Sequence, residues 1–457
     1  MKRLTRRSFI AGSAAIGAGP AWSAPRPPPP PPGPPEAPRA GQIDVVVVGA
    51  GAAGIAAARR IVAANRRVVL VEAANAAGGR CITDTATFGV PYDRGAHWIY
   101  ASDINPVAKL AAQVGVDIYP APPGQRLRIG RRFAREGELE DFLSHIVRAN
   151  SAITDVANRG RGDVPADKAL PKDLADWRQT AEFVLGPYGC GRDLAEVSAY
   201  DLARAVAHDN NAFCRQGFGT LLGKLVPPGT LLTAAPVNRI EWYGRGNIEV
   251  QTSRGTYLTR AVVVTVSTNV LLANKIRFQP ELPKRHLDAI SRLRLGSFDH
   301  VALELPGNPL GLRSDELAFE KAEGRRTAVI LGNVLGSTLC TVSIGGNFGR
   351  ELSAKGEKEM IDFALGWLGG LYGSDFKSLV KRVHATRWNH EPWVLGAVSG
   401  ASPGAQPMRR VLMEPLNNRI FLAGEAAHET QWGTVGGAWE SGERAADAVI
   451  KVIGRGR

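Results

Sequence analysis

The run Ile43-Asp44-Val45-Val46-Val47-Val48 stops abruptly on Gly49-Ala50-Gly51-Ala52-Ala53-Gly54, and no other stretch constrains the fold as tightly. A short apolar run that ends on glycine reads as a strand buried on both faces, which belongs inside a parallel sheet. The glycines at 49, 51 and 54 spell G-x-G-x-x-G at a strand-to-helix turn. In that pattern the first glycine permits the tight turn, the second lets a pyrophosphate approach the backbone, and the third lets helix and strand pack closely. The alanine-rich stretch 52–64 predicts the helix, whose first N–H groups and partial positive charge suit a phosphate. Residues 67–72 predict a second strand, and Glu72 stands where an acid accepts hydrogen bonds from ribose hydroxyls. With all these parts in register, the expectation is a dinucleotide site built on Gly49, Gly51, Ala53, Gly54 and Glu72.

At 457 residues the chain exceeds what a single core usually fills, so two domains are expected. Beyond the N-terminus no apolar run is long enough to span a bilayer, and no stable membrane span is expected. The formal charge of +13 is unevenly placed: residues 1–40 hold six basic side chains and one acid, which leaves +8 on the remainder. There Lys and Arg are scattered rather than blocked, which argues against nucleic acid as a partner. Cys81, Cys190, Cys214 and Cys340 are widely spaced without C-x-x-C, so neither a metal site nor a redox dithiol is expected. Four buried thiols are the preferred reading, with a Cys190–Cys214 disulfide as the alternative in an oxidising compartment.

Thr5-Arg6-Arg7-Ser8-Phe9-Ile10 matches the twin-arginine export pattern, S/T-R-R-x-F followed by an apolar residue. A weakly hydrophobic stretch follows, and Ala21-Trp22-Ser23 offers small residues for cleavage, so 1–24 read as a removable signal. The alternative is a basic N-terminus without an export role, or a retained anchor. Residues 25–40 form a proline-dominated linker that cannot pack a core. The twin-arginine machinery carries folded proteins, which fits a cofactor loaded before export and a bacterial periplasmic or secreted location.

Beyond Glu72 stand Gly78-Gly79-Arg80 and Gly95-Ala96-His97-Trp98-Ile99, and near the C-terminus Ala423-Gly424-Glu425 and Gly433-Thr434-Val435-Gly436-Gly437-Ala438. Together with the dinucleotide motif this set resembles the FAD-dependent amine oxidase family, which includes monoamine oxidases, polyamine oxidases and lysine-specific histone demethylases. The resemblance covers most of 43–455. It implies an α/β fold in which a Rossmann-type FAD-binding domain (41–118, 216–297 and 383–457) is interleaved with an α+β substrate-binding domain (119–215 and 298–382). Local patterns predict paired strands over 247–252 and 257–266, helices over 141–158 and 357–371, and turns at Pro227-Pro228-Gly229 and Pro306-Gly307-Asn308-Pro309.

The resemblance also implies roles. Gly79 and Arg80 would meet the pyrophosphate. Gly95, Ala96, His97 and Trp98 would pass along the flavin ring. The Val237 backbone would contact adenine, and Trp393 would pack beside the flavin. Gly424 and Glu425 would hold the ribityl or ribose region. Thr434 and Val435 would open a helix facing the pyrimidine edge, where a helix N-terminus stabilises negative charge. Ala397 stands where monoamine oxidases carry the cysteine bonded to FAD, so noncovalent FAD is expected.

Several positions depart from the family pattern. Ala74 and Ala76 replace two arginines after the ribose acid. His300, in Leu295-Gly296-Ser297-Phe298-Asp299-His300-Val301, occupies the place of a lysine that holds a water near flavin N5. It can hold the same water, act as acid or base near neutral pH, or be structural. The stretch Gly396-Ala397-Val398-Ser399 and Thr434 lack the aromatic side chains that flank the substrate nitrogen in many relatives. Trp177, Tyr188, Phe213, Phe218 and Trp367 are pocket or core.

The expected activity is oxidation of an amine by FAD, giving an imine that hydrolyses, with dioxygen or another acceptor taking the electrons and hydrogen peroxide as product. The alternatives are an L-amino-acid oxidase, with Arg94 or Arg126 holding the carboxylate; a desaturase of the same superfamily; or a non-catalytic flavoprotein.

Overall fold

The opening run forms β1 (Val45–Val48), buried along its whole length at the centre of a five-stranded parallel sheet. Its neighbours are Ala261–Val264 on one side and β2 (Val68–Val71) on the other, with Ile420–Leu422 and Leu231–Leu232 at the edges. The alternation of the strand explains why all four valines are apolar. Val45 and Val47 enter the core formed by α1 (Ala52–Ala63) and the C-terminal helix Val435–Ile453. Val46 and Val48 enter the opposite core, beneath the four-stranded sheet that contains Val237–Glu241. The chain is thus mixed α/β with a Rossmann-type sheet. The computed structural model describes residues 43–160, 162–206 and 210–454, which fall within one compact unit; the export signal at 1–24 and the linker at 25–40 lie outside the described residues.

A second, seven-stranded sheet runs Val383–Ala385, Phe298–Glu304, Leu339–Gly345, Val329–Gly332, Glu316–Glu320, Gln125–Ile129, Arg132–Phe133 in spatial order. The period of two again sorts its side chains. Val301, Leu303, Ile330 and Val342 pack on the helices Gly346–Lys355 and Glu357–Tyr372. Ala302, Leu331 and Leu339 face the other way, towards Phe88 and Tyr92.

Some local expectations change. The strand expected over 257–266 divides: Gly255–Thr259 stays paired with Ile248–Thr252, whereas Ala261–Val264 joins the parallel sheet. The break is pinned by the Asp44 carbonyl, which accepts from Thr259 Oγ1 at 2.9 Å and from Arg260 N at 3.2 Å. The boundary placed at residue 383 cuts through the seven-stranded sheet, because Val383–Ala385 pairs with Phe298–Glu304. The cysteines follow the preferred reading: all four are free and buried, with no Cys190–Cys214 disulfide. The helix expected over 141–158 starts earlier, at Glu136, and the one over 357–371 ends at Tyr372. No described helix is long and apolar enough to cross a membrane.

Candidate active site

One cavity of about 750 Å³ runs from the turn between β1 and α1 to the inner face of the seven-stranded sheet. That lies in the upper part of the ~300–1,000 Å³ range of small-molecule sites. Every residue that the sequence places at the cofactor lines it except Gly54, and His300 lines it too. Gly54 acts from behind the wall. A Cβ there would lie 1.8 Å from the Gly49 carbonyl oxygen, so its bareness lets α1 approach β1. Gly49 itself has φ +99°, a conformation that L side chains rarely adopt.

The dinucleotide end is built from backbone. α1 begins at Gly51 with no side-chain cap and no acid in its first turn, so its first N–H groups open onto the cavity. Gly51 and Gly78 form an isolated parallel bridge, and a Cβ on Gly79 would approach Gly51 Cα to 3.3 Å. Glu72 accepts from Ala50 N at 2.6 Å and from Ala74 N at 2.9 Å. Burial pushes its carboxyl pKa up, against the pull of those amides. Bare glycine backbone, an open helix N-terminus and a held acid form a cradle that fits a pyrophosphate and its ribose.

Further along, Arg80 has a partner that the sequence did not suggest. Its Nη1 donates to Glu425 Oε1 at 2.8 Å and to the Ala397 carbonyl. Glu425 also accepts from Ser399 Oγ at 2.6 Å and Gly433 N at 2.9 Å. Burial alone would raise its pKa; Arg80 and the Ser399 hydroxyl outweigh that and hold it below the ordinary carboxylate value. Behind Ser399 lies a fully buried pair, Arg409 and Asp201, joined by two hydrogen bonds of 2.7 Å. Arg409 Nη1 reaches Ser399 Oγ at 3.2 Å and the Ala426 carbonyl at 3.1 Å. No motif marks this support. The Thr434 side chain caps the C-terminal helix, accepting from Gly437 N at 2.9 Å.

Two tryptophans flank the middle of the cavity. Trp393, the one expected beside the flavin, is 39% exposed, whereas Trp388 is only 5% exposed. Trp388 Nε1 donates to the Arg94 carbonyl at 3.0 Å, and its ring edge lies 2.9 Å from where a Gly95 Cβ would be. Its backbone N–H is held by buried Asp299 at 2.7 Å. Spacing alone could not rank two tryptophans five residues apart. Of the five aromatics left open as pocket or core, only Tyr188 lines the cavity. Arg94 and Arg126 do not line it, and Arg126 stacks on Phe133.

His300 is partly accessible from the cavity, and its Nδ1 lies 2.9 Å from Ser343 Oγ on the adjacent strand. Burial first, and the nearby His97 second, push its pKa down to about 4, while the Gly95 carbonyl and Asp93 pull it up. A neutral imidazole can hold a water but carries no charge near pH 7, which argues against the acid–base reading at that pH. His97 Nδ1 lies 2.9 Å from Asp93 Oδ2, its ring stacks on Phe213, and its Nε2 has no partner.

A pH dependence follows. Between about pH 4 and the ordinary value of 6.5 the unfolded chain binds a proton at this position that the folded chain does not, so the His300 contribution to stability rises with pH and is lost on acidification. Asp299, whose pKa burial raises to about 6, acts in the opposite sense over the same window. The difference between wild type and His300→Gln therefore isolates the histidine. Relative to wild type, the variant is expected to gain about 1.4 kcal/mol per pH unit as pH falls through that window. Denaturant midpoints at pH 7, 5.5 and 4.5 check this, and a pH-independent difference would refute it.

A parallel sheet with a glycine cradle at its carboxyl ends, opening into a pocket beneath a second sheet, defines an α/β dinucleotide-binding protein with an adjoining ligand pocket. The chain matches the flavin containing amine oxidoreductase model over residues 167–450 and an NAD(P)-binding Rossmann-like domain over 47–114. It belongs to the flavin-containing amine oxidase family, whose cofactor is FAD. It is 25% identical to Homo sapiens lysine-specific histone demethylase 2 over 89% of this chain and 53% of that protein. It is 24% identical to Arabidopsis thaliana probable polyamine oxidase 4, over 90% and 88% respectively. The chain thus spans about half the length of the demethylase it matches. In fold it resembles cyclohexylamine oxidase from Brevibacterium oxydans IH-35A, with a TM-score of 0.75, 21% identity, and coverage of 90% of this chain and 99% of the other.

Proposed function

We propose that this chain is an exported FAD-dependent amine oxidase whose parallel sheet carries the cofactor and whose seven-stranded sheet receives the amine. The observation that carries this reading is the continuity of the cavity, from the glycine cradle at one end to the sheet face bearing His300 at the other. Bound FAD supplies a two-electron acceptor for the amine's α C–H, after which water hydrolyses the imine and dioxygen becomes hydrogen peroxide.

The protein's share is binding and orientation. The open end of α1, Gly51, Gly79 and Glu72 would hold the ADP half of bound FAD. Glu425, fixed by Arg80 and Ser399, and the N-terminus of the C-terminal helix would hold the flavin half. His300, tied to Ser343, presents an uncharged imidazole that would hold a water in the cavity.

Anaerobic addition of amines, polyamines and amino acids to the purified protein tests this. Bleaching of the visible flavin band by an amine supports it. Bleaching by amino acids alone supports an L-amino-acid oxidase, and bound flavin that no donor reduces supports a non-catalytic flavoprotein. The export reading rests on Arg6 and Arg7. Replacing both with lysine is expected to leave the oxidase in the cytoplasm, which fractionation reads directly; unchanged export would overturn it.

A further inference from the structure

The substrate end of the cavity has a composition that narrows the amine, on the reading that the chain oxidises one. Leu317, Leu331 and Leu339 project from the seven-stranded sheet, and Tyr188 and Phe298 stand beside them with ring centroids 6.1 Å apart. Phe298 in turn meets the His300 ring edge-on at 5.3 Å. The helix Glu136–Asn158 adds Ile146, Val147 and Ile153, together with Asn150 and Thr154, and Val147 is 64% exposed.

Charge lies elsewhere. Among the described residues four carboxylates line the cavity: Glu72, Asp93, Glu391 and Glu425. Glu72 and Glu425 are held within the cofactor cradle, and Asp93 accepts from Thr83 Oγ1 and Phe218 N as well as meeting His97. Glu391 is exposed, between Trp388 and Trp393. The lining cations are placed likewise: Arg80 is paired with Glu425, and Lys275 adjoins Ile276, which shares a core with Val237 at the adenine end. None of these charges belongs to the sheet face or to the Tyr188–Phe298 pair.

We propose that the substrate is a monoamine with an apolar hydrocarbon body, taken in preference to polyamines, lysine side chains and amino acids. Among the described residues, a second ammonium placed against the three leucines would be buried without a counter-ion, with only the Thr341 and Ser343 hydroxyls on that face, and an α-carboxylate would meet no free cation; each loses solvation that two hydroxyls do not replace. A hydrocarbon chain gains on the same surface, roughly fourfold in binding for each methylene removed from water.

The test is kcat/KM for propylamine, butylamine, pentylamine and hexylamine, with 1,6-diaminohexane, spermidine and leucine alongside. Expected is a rise of about fourfold per methylene, with 1,6-diaminohexane about 100-fold or more below hexylamine. A flat series, or a diamine, spermidine or leucine that matches or exceeds hexylamine, overturns the proposal while leaving oxidase activity intact. Failure of every amine to bleach the flavin instead removes the oxidase reading itself. Leu317→Glu, at a half-buried position, places a carboxylate on the sheet face and is expected to raise the diamine-to-monoamine ratio at least about tenfold. An unmoved ratio in folded variant protein would show that the substrate body lies elsewhere. If that variant does not fold, the series on the unmodified protein decides the matter alone.

Discussion

Gly54→Ala is expected to yield protein without visible flavin, with FAD affinity lowered at least about a hundredfold on titration, a loss of about 2.7 kcal/mol or more. The new methyl would sit 1.8 Å from the Gly49 carbonyl oxygen, 2.9 Å from its carbon and 3.2 Å from Thr265 Oγ1. These are backbone and a tethered hydroxyl: Thr265 Oγ1 lies 2.9 Å from the Val48 carbonyl, so it has little room to yield. The helix must therefore back away from β1, which moves the open N–H groups that would serve the pyrophosphate. Gly223→Ala is the control. Gly223 is exposed on the helix Phe218–Lys224 with nothing within 4 Å of its added Cβ, so flavin content and stability should hold or rise slightly. Normal FAD affinity in Gly54→Ala would refute the close-packing argument.

Arg409→Met should cost about 3–5 kcal/mol, because it strands Asp201 in a site with no solvent. The same change removes the donors that steady Ser399, and through it Glu425. Thermal midpoint and flavin retention should therefore fall together. The double variant Asp201→Leu, Arg409→Met should recover much of the midpoint, since it buries no unpaired charge, but not the flavin retention, because Ser399 still lacks its support. A single variant with wild-type midpoint, or a double variant no better than the single, would show that the pair carries neither burden.

Most of what was legible in the sequence was local. β1, its glycine turn, α1 and Glu72 follow one another within thirty residues, so apolar periodicity and glycine spacing report them directly. The distant Gly424-Glu425 and Thr434-Val435 segments were legible only through resemblance to a family, and the structure brings them to the same cavity. Arg409 and Asp201 stand 208 positions apart without any repeating pattern, so nothing short of the folded chain could pair them. The same holds for Arg80 and Glu425, which stand 345 positions apart with no spacing to join them.

By itself the sequence determined the Rossmann-type core and its dinucleotide site, since both depend on side-chain period and on backbone that only glycine leaves bare; FAD in particular followed from the family resemblance. Only the tertiary structure decided the rest. It set Trp388 deep and Trp393 at the surface, split the predicted strand at Arg260, and neutralised His300 by burial beside His97. It also turned three leucines from separate strands into one apolar wall. Burial, charge pairing and the composition of a pocket arise between residues far apart along the chain, and they exist only once it has folded.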